Sequence, residues 1–553
     1  MNSPHPTTHD DVSPLAEPAA LNAAPTVVSR PETPHWSIQD LLRADAFPHA
    51  VHELQLRETH ISWVVLTGSF AYKIKKAVKL DFIDASTLER RRHHCAEEIR
   101  LNRRLAPDLY LGVVAITLDD GRAVVGGAGP VVDYAVRMRQ FAASEELPAL
   151  LARNDVDAEQ MAALGQLLAE FHLKAMVAPA IRAPEKTEQI QRTVLGNLHQ
   201  LLENIGRADP SSSLDRLLAW TRDTARELEA TFQLREREGH VREGHGDLHA
   251  ANIVRHAGRL VPFDCIEFDP RLRWIDTIDD IAFLVMDLMS AARSDLATAL
   301  LSRYLEVTGD YAGLRVLPFY ATHRALVRAN VDALTAAAVP ARATELRARL
   351  QQRLSAATSW TISWTWRTRP KLILMHGASG SGKSWLSSRL IPEVPALRIR
   401  SDLERKRLAH LAPTQSSAAG VREGIYSPGF SHRTYGRLAE CAEHCLRVGC
   451  NVIVDASFLQ AADREMFNAL AIRLGIDCVI VSCQSDPITL SRRVIDRATQ
   501  GKDPSDSTLA VLDAQLRELV PFAPHEKPRV ITIDTQAPHA AQRVLKDIRA
   551  HLT

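Results

Sequence analysis

The sequence predicts two domains of different class, an α+β half followed by an α/β half built on a doubly wound parallel sheet. Three observations carry this. From Lys371 onward, short apolar strand patterns alternate with helical ones, as in a parallel sheet flanked by helices. Before that point, strand patterns fall early, at 59–76 and 131–141, and helical patterns fill 281 to about 355. Between the halves, 351–370 reads as a Trp-rich linker containing Trp360, Trp364 and Trp366, whose rings suit packing against a domain better than base stacking. The expected plan is a disordered tail over 1–34, a first domain over 35–350, the linker, and a second domain over 371–553. Length alone would allow roughly three to four domain-sized units.

The totals exclude several classes. A net charge of +1 gives no global field to recruit nucleic acid or an anionic membrane. The seven cysteines form no C-x-x-C pair, which fits reduced thiols in a cytoplasmic protein. No apolar run approaches the roughly 18 residues of a membrane helix, and the N-terminus lacks a basic head followed by an apolar core.

In chain order, Trp36 to Leu42 reads as a short helix with Ser37 as N-cap. Ile61–Leu66 and Phe70–Lys75 read as two strands around the turn Thr67-Gly68-Ser69, with Lys73 and Lys75 on one strand face. Ser86 to Leu105 reads as a helix capped by Ser86 or Thr87, with Glu89 placed for a capping box and Glu97 and Glu98 inside it. Val131–Phe141 is a strand and Asp157–Met176 a helix, in which His172 reads as structural.

The first chemical signal is His245-Gly246-Asp247-Leu248-His249-Ala250-Ala251-Asn252, followed by a hairpin pattern that ends at Asp264. Phosphoryl transfer needs such residues: a carboxylate to orient the nucleophile and hard oxygen ligands for magnesium. The five-residue spacing of Asp247 and Asn252 is that of the protein-kinase catalytic loop. The stretch resembles the aminoglycoside phosphotransferase family, kinases of small molecules with a bilobal protein-kinase-like fold, in which Gly246 replaces the Arg of protein kinases. The resemblance covers roughly 36–345. It implies that Asp247 receives the acceptor hydroxyl proton and that Asn252 and Asp264 hold magnesium. Phe70-Ala71-Tyr72-Lys73 mimics the V-A-I-K strand, so Lys73, in preference to Lys75, would contact ATP phosphates and pair with Glu98. Met138 to Gln140 would be the adenine hinge, and Asp276 or Asp279 would steady the catalytic loop or cap a helix. The 67–69 turn lacks a full G-x-G-x-x-G.

The second signal is Gly377-Ala378-Ser379-Gly380-Ser381-Gly382-Lys383-Ser384, after the strand pattern 371–375 and before a helix. Backbone N–H groups of such a loop wrap phosphates, the lysine reaches the terminal phosphates, and the serine holds magnesium. Asp455 ends a later strand as a partner for magnesium water. The region 371–553 resembles small P-loop kinases such as gluconate kinase, zeta toxin and the kinase half of polynucleotide kinase. That resemblance implies that Asp402 accepts the substrate proton and that Arg493 and Arg497, one turn apart, clamp the transferred phosphate.

The expectation is a bifunctional ATP-dependent phosphotransferase using Mg2+ in both halves and delivering the γ-phosphate to hydroxyls of small molecules. Two alternatives stand beside it. The basic run from Arg398 to Arg407 could serve a polynucleotide 5′-hydroxyl kinase, although nucleic acid is not the expected partner. One half could instead be a non-catalytic nucleotide sensor.

Overall fold

A computed structural model of the chain describes residues 36–80, 83–179, 196, 212–338, 343–362, 369–417, 420, 422–500, 505 and 507–552. The expected tail over 1–34, the side chain of Trp360, Trp364, Trp366 and most of the loop 501–506 lie outside them.

The first half opens on a 3-10 turn, Ile38–Leu41, held by a capping box between Ser37 and Asp40. Strands β1 (Gln55–Glu58), β2 (Ser62–Leu66) and β3 (Phe70–Lys75) follow, then a small hairpin of β4 (Lys79–Leu80) and β5 (Ile83–Asp84) and helix α1 (Leu88–Asn102). Thr87 caps α1 by accepting from Arg90 N at 3.3 Å. Ser86 turns the other way and donates to Asp84 Oδ1 at 2.6 Å, so the Ser86–Glu89 capping box does not form. Strands β6 (Tyr110–Asp119), β7 (Arg122–Val125) and β8 (Val131–Arg139) complete a six-stranded antiparallel sheet in the order β1-β2-β3-β8-β6-β7. Strand alternation sends Tyr72 and Ile74 to an outer cluster with Leu41, and Ala71 to an inner one with Cys95 and Ile99 of α1.

A helical lobe follows: α2 (Leu147–Ala152), α3 (Ala158–Lys174), α4 (Ser212–Glu227) and α5 (Glu229–Arg237). Next come β9 (Val241–Glu243), the hairpin β10 (Ile253–His256) and β11 (Arg259–Pro262), α6 (Pro270–Arg273), β12 (Trp274–Asp276), α7 (Thr277–Ser290), α8 (Ser294–Thr308), α9 (Leu317–Ala338) and α10 (Ala343–Ile362). Val254, Val261 and Phe263 join the inner cluster of the sheet, which sets the hairpin under the strand lobe. Helix α10 runs to Ile362, so a good part of the expected linker is helix.

The second half is β13 (Lys371–His376), α11 (Lys383–Glu393), β14 (Ala396–Arg400), α12 (Ser401–Leu408), α13 (Pro428–Arg447), β15 (Asn451–Asp455), α14 (Ala461–Leu474), β16 (Asp477–Gln484), α15 (Pro487–Gln500), α16 (Leu509–Glu518), β17 (Val530–Asp534) and α17 (Ala540–Leu552). Its sheet has the order β14-β15-β13-β16-β17, and every pair is parallel. Every residue of β13 is buried, as expected of a central strand covered on both faces. Leu372 and Leu374 face one cluster, Ile373 and Met375 the other.

The cluster on the Leu372 face does not stop at the second half. It runs without a break through β14 and β15 into α7, α8 and α9 of the first half, and α8 packs directly on β14 and α11. All seven cysteines are buried and free. Among the described residues no helix is long and apolar enough to cross a membrane.

Candidate active sites

The first site lies between the strand lobe and the 245–264 segment. A cavity there is lined by Ala71, Lys73, Met138, Phe141, Asp247 and Asp264. Lys73 Nζ lies 3.0 Å from Glu98 Oε1 and forms an ion pair with Asp264 Oδ1. Burial opposes its charge, but Asp264 and Glu98 together hold the ammonium pKa well above its ordinary value. Burial likewise opposes the Glu98 charge, yet Lys73 and Lys75 hold its carboxyl down at about 2.

Lys75, expected as an alternative phosphate contact, does not reach the cavity. Its side chain is fully enclosed, pairing with Glu98 Oε2 at 2.5 Å and with Glu267. Both lysines share a strand face, but the more distal one lies behind Glu98 and closes the core there. Glu97 pairs with Arg100 at 2.8 Å and takes no part in the lysine cluster.

Asp247 is held by its own loop. Asn252 Nδ2 donates to Asp247 O and Oδ2, each at 3.0 Å. His245 Nδ1 accepts from Asp247 N at 3.3 Å, while Nε2 is 2.9 Å from Phe263 O. That fixes a neutral imidazole with its proton on Nε2, and burial lowers the His245 pKa accordingly. Burial would raise the Asp247 pKa, but the neighbouring groups, His249 foremost with Arg328 beyond, together outweigh it and the carboxyl stays below its ordinary value. Asp247 Oδ1 is buried with no hydrogen-bond partner, an acceptor left over for something outside the loop. Asp264 has a left-handed backbone, φ 63°, and its N–H donates to Tyr110 OH at 3.0 Å. Hard oxygens on Asn252 and Asp264 suit magnesium, which takes one or two protein carboxylates and leaves other positions to phosphate and water. Among the described residues no group of three His, Cys, Asp or Glu side chains able to hold a metal occurs.

The carboxylate bonded directly to this loop is neither Asp276 nor Asp279, although Asp279 holds Arg324, which donates to Gly246 O at 3.3 Å. Asp276 caps α7 through Ile278 N at 2.9 Å and is gripped by Arg235 at 2.7 Å and 2.8 Å. Asp279 bonds Arg324 at 2.8 Å, and burial raises its pKa to about 6. Asp280 does the work: its Oδ2 accepts from His245 N at 2.6 Å and its Oδ1 from Gly246 N at 3.0 Å. Gly246 sits at φ 86°, where a Cβ would come within 2.7 Å of Leu272 O, so the loop cannot carry a larger residue there. Met138 lines the cavity with its side chain but is paired on both sides in the sheet, against Ala71 and Tyr110. The chain leaves the sheet only after Arg139. Gln140 instead ties the 67–69 turn, accepting from Thr67 N at 3.0 Å and Gly68 N at 2.8 Å.

The second site is the loop between β13 and α11. Gly380 has φ 79°, and a Cβ there would fall 2.6 Å from Leu490 O, so the tight curl requires glycine. Lys383 Nζ donates to Gly377 O at 2.8 Å and Ala378 O at 2.9 Å. Burial lowers its pKa, Asp455 and Asp402 pull it up, and Arg497 pushes it down. Lys383 thus shares its electrostatic surroundings with Asp455, Asp402 and Arg497. Ser384 lies in the first turn of α11, and Ser387 Oγ reaches Asp455 Oδ2 at 3.3 Å. The loop is tied from outside by Ser379 N to Gln515 Oε1 at 2.7 Å.

Asp402 lies in the first turn of α12, whose N-cap is Arg400 with no side-chain cap bond, so helix capping does not account for it. The arginines part company. Arg493 Nη1 donates to Gly380 O at 3.2 Å, Ser485 Oγ at 3.1 Å and Thr535 Oγ1 at 2.9 Å, bracing the loop from behind. Arg497 lies close enough to Lys383 to push its pKa down, and its Nη2 is buried with no hydrogen-bond partner.

The basic run is spent internally. Arg398 Nε bonds Glu306 Oε1 at 2.6 Å, Arg405 Nη1 bonds Ile425 O at 2.5 Å, and Arg407 Nη2 bonds Glu306 O at 2.8 Å.

Comparison with known proteins places residues 372–522 in the AAA domain family, so the second half is a P-loop domain. The uncharacterized protein Rv2004c of Mycobacterium tuberculosis H37Rv is 30% identical over 462 residues, spanning 84% of this chain and 90% of that protein. Mb2027c of Mycobacterium bovis, also uncharacterized, matches to the same extent. Among solved structures, the M. tuberculosis APS kinase bound to AMPPNP and APS shares 19% identity, covers 33% of this chain and 99% of its own, and has a TM-score of 0.25. A gluconokinase from Sinorhizobium meliloti shares 18% identity over 34% of this chain and 100% of its own, with a TM-score of 0.23.

Proposed function

The chain belongs to one family with the mycobacterial protein Rv2004c, and from that premise we propose that it is a two-site, ATP-dependent phosphotransferase. The shared stretch of 462 residues is longer than either half, so the pairing of the halves is a property of the family. The observation that carries the reading is common to both sites. Each sets a part-buried lysine among carboxylates: Lys73 is ion-paired with Glu98 and Asp264, and Lys383 lies in the field of Asp402 and Asp455.

In the first site Lys73 would hold ATP phosphates, kept charged and oriented by Glu98. Asp247, with Oδ2 engaged by Asn252 and Oδ1 unpartnered, would orient the acceptor hydroxyl and take its proton. In the second site the 377–384 loop would wrap the phosphates, Lys383 would reach the transferred group, Arg497 would stabilise its charge, and Asp402 would take the proton. Asn252 with Asp264, and Ser384 with Asp455, would hold magnesium, which when bound neutralises phosphate charge and aligns the leaving oxygen. Catalysis of this kind is positioning and charge stabilisation, with no covalent intermediate. The acceptor read here is a small molecule, because the arginines a polynucleotide would need are tied to Glu306 and to backbone carbonyls.

The test is transfer of labelled γ-phosphate by the full chain to a panel of metabolite alcohols and oligonucleotides. Lys383→Ala is expected to remove second-site turnover. Asp247→Asn should keep ATP binding and lower first-site transfer by about 10²–10⁴-fold, and Asp264→Asn should weaken Mg-ATP binding. Wild-type transfer in all three variants would refute the reading.

A further inference from the structure

Arg398 stands on β14, the edge strand of the parallel sheet. Its backbone is claimed by the first half: N donates to Ser302 Oγ at 3.0 Å, and Tyr311 OH donates to its O at 3.2 Å. Its guanidinium spans two regions. Nε donates to Glu306 Oε1 of α8 at 2.6 Å, while Nη1 donates to Ser388 Oγ at 2.5 Å, Ser387 Oγ at 3.2 Å and Ser384 O at 3.4 Å. Those serines form the first turns of α11, directly after the phosphate loop. Ser387 in turn reaches the Asp455 carboxylate. Glu306 is 1% exposed and Arg398 8%, so neither charge can be offset by water.

We propose that Glu306 and Arg398 are a positioning pair for the second phosphate site, supplied across the two halves. Arg398 fixes the start of α11 beside Asp455, and Glu306 cancels the arginine charge that would otherwise oppose a cation at Ser384 and Asp455. This rests on the reading of Ser384 and Asp455 as magnesium-holding residues. The second site is then complete only when α8 of the first half is docked. Without Glu306, Arg398 loses its carboxylate partner in a region where Arg400 Nε already lies 3.9 Å from Asp455 Oδ2, and cation affinity falls. Residues that orient ligands in this indirect way typically change metal affinity by about 10–100-fold.

The experiment compares the full-length wild type with Glu306→Gln, Ser302→Ala and Arg398→Lys. Signal lost on Lys383→Ala defines the second site. Two quantities are read: the Mg2+ concentration for half-maximal ATP turnover, and the affinity for a fluorescent ATP analogue with Mg2+ and with EDTA. Glu306→Gln is expected to raise the Mg2+ requirement about tenfold or more and to weaken analogue binding only when Mg2+ is present. Ser302→Ala loosens the same interface without touching the guanidinium, so it should leave both quantities within twofold of wild type. Arg398→Lys keeps the charge but cannot span Glu306 and three serine oxygens, and should shift the Mg2+ requirement in the same direction. That variant answers the question if Glu306→Gln fails to fold. An unshifted Mg2+ requirement in Glu306→Gln or in Arg398→Lys, or an equal shift in Ser302→Ala, overturns the inference while leaving the proposed function standing. A wild type with no Lys383-dependent ATP binding sinks both.

Discussion

His172 Nε2 lies 3.1 Å from Asp280 Oδ2, the same oxygen that accepts from His245 N at 2.6 Å. A helix of the lobe interior is thereby joined to the loop that carries Asp247. His172 extends the contact to α8 through Tyr304 OH at 2.8 Å.

The first prediction concerns this node. Asp280→Ala strips the acceptor from two buried N–H groups and leaves His172 without its carboxylate. Buried donors left without an acceptor cost about 1–3 kcal/mol each, read as a lower melting temperature. First-site transfer should fall more than ATP binding does, because the displaced residue is Asp247 and not Lys73. A melting temperature and transfer rate equal to wild type would remove Asp280 from this role.

Lys73 and Lys75 should separate cleanly by substitution. Lys75→Met leaves Glu98 and Glu267 buried beside one fewer cation, and should cost about 3–5 kcal/mol of stability. Lys73→Met, at the cavity wall, should cost less stability and most of the first-site ATP affinity. Calorimetry combined with ATP titration distinguishes them, and the opposite assignment of effects would show that the distal lysine is the phosphate contact.

A pH dependence follows from Glu98. Its folded pKa is lowered from 4.5 to about 2, so the unfolded chain binds its proton first as pH falls. The stabilisation from Glu98 is therefore complete above about pH 4.5 and is lost as pH drops toward about 2. Glu98→Gln lacks this contribution at every pH. Chemical denaturation at stepped pH should show wild type and Glu98→Gln converging across that window. Parallel curves would mean the carboxylate is not held by the two lysines.

Weak, salt-insensitive binding of single-stranded DNA and RNA is expected at physiological ionic strength. A polynucleotide kinase should instead give a log–log salt slope of about −0.7 per phosphate contact. Fluorescence anisotropy at two salt concentrations decides it, and steep, saturable binding lost on Arg497→Ala would reopen the polynucleotide reading.

The legible parts of this chain were those whose information is local. The 377–384 loop follows from glycine spacing after an apolar strand, and the 253–262 hairpin from a Gly-containing turn between apolar runs. Ser37 caps the first turn because capping is decided within a few residues, whereas the choice between Ser86 and Thr87 turned on the bond from Ser86 to Asp84. What the sequence concealed is long-range. Asp276, Asp279 and Asp280 share one helix start, and nothing local distinguishes the one that meets His245 from the one that meets Arg235. Lys73 and Lys75 share a strand face, and only the position of Glu267 assigns their roles. The arginines between 398 and 407 looked like a ligand-gripping patch because their partners, Glu306 and Ile425, arrive from distant segments. Helix α10 continues to Ile362, into the stretch read as linker, because those residues carry no stop signal.

The unbroken apolar cluster from α7 and α8 into β14 and β15 has a consequence for biosynthesis. Translation is vectorial, and α8 leaves the ribosome well before β14. At about 5–20 residues per second, the docking face of α8 stands bare for on the order of ten seconds, wet and apolar, while its cover is still being made. The nascent first half is thus expected to be aggregation-prone during that interval, and a premature stop anywhere between the two elements should yield a chain that is sticky as well as incomplete.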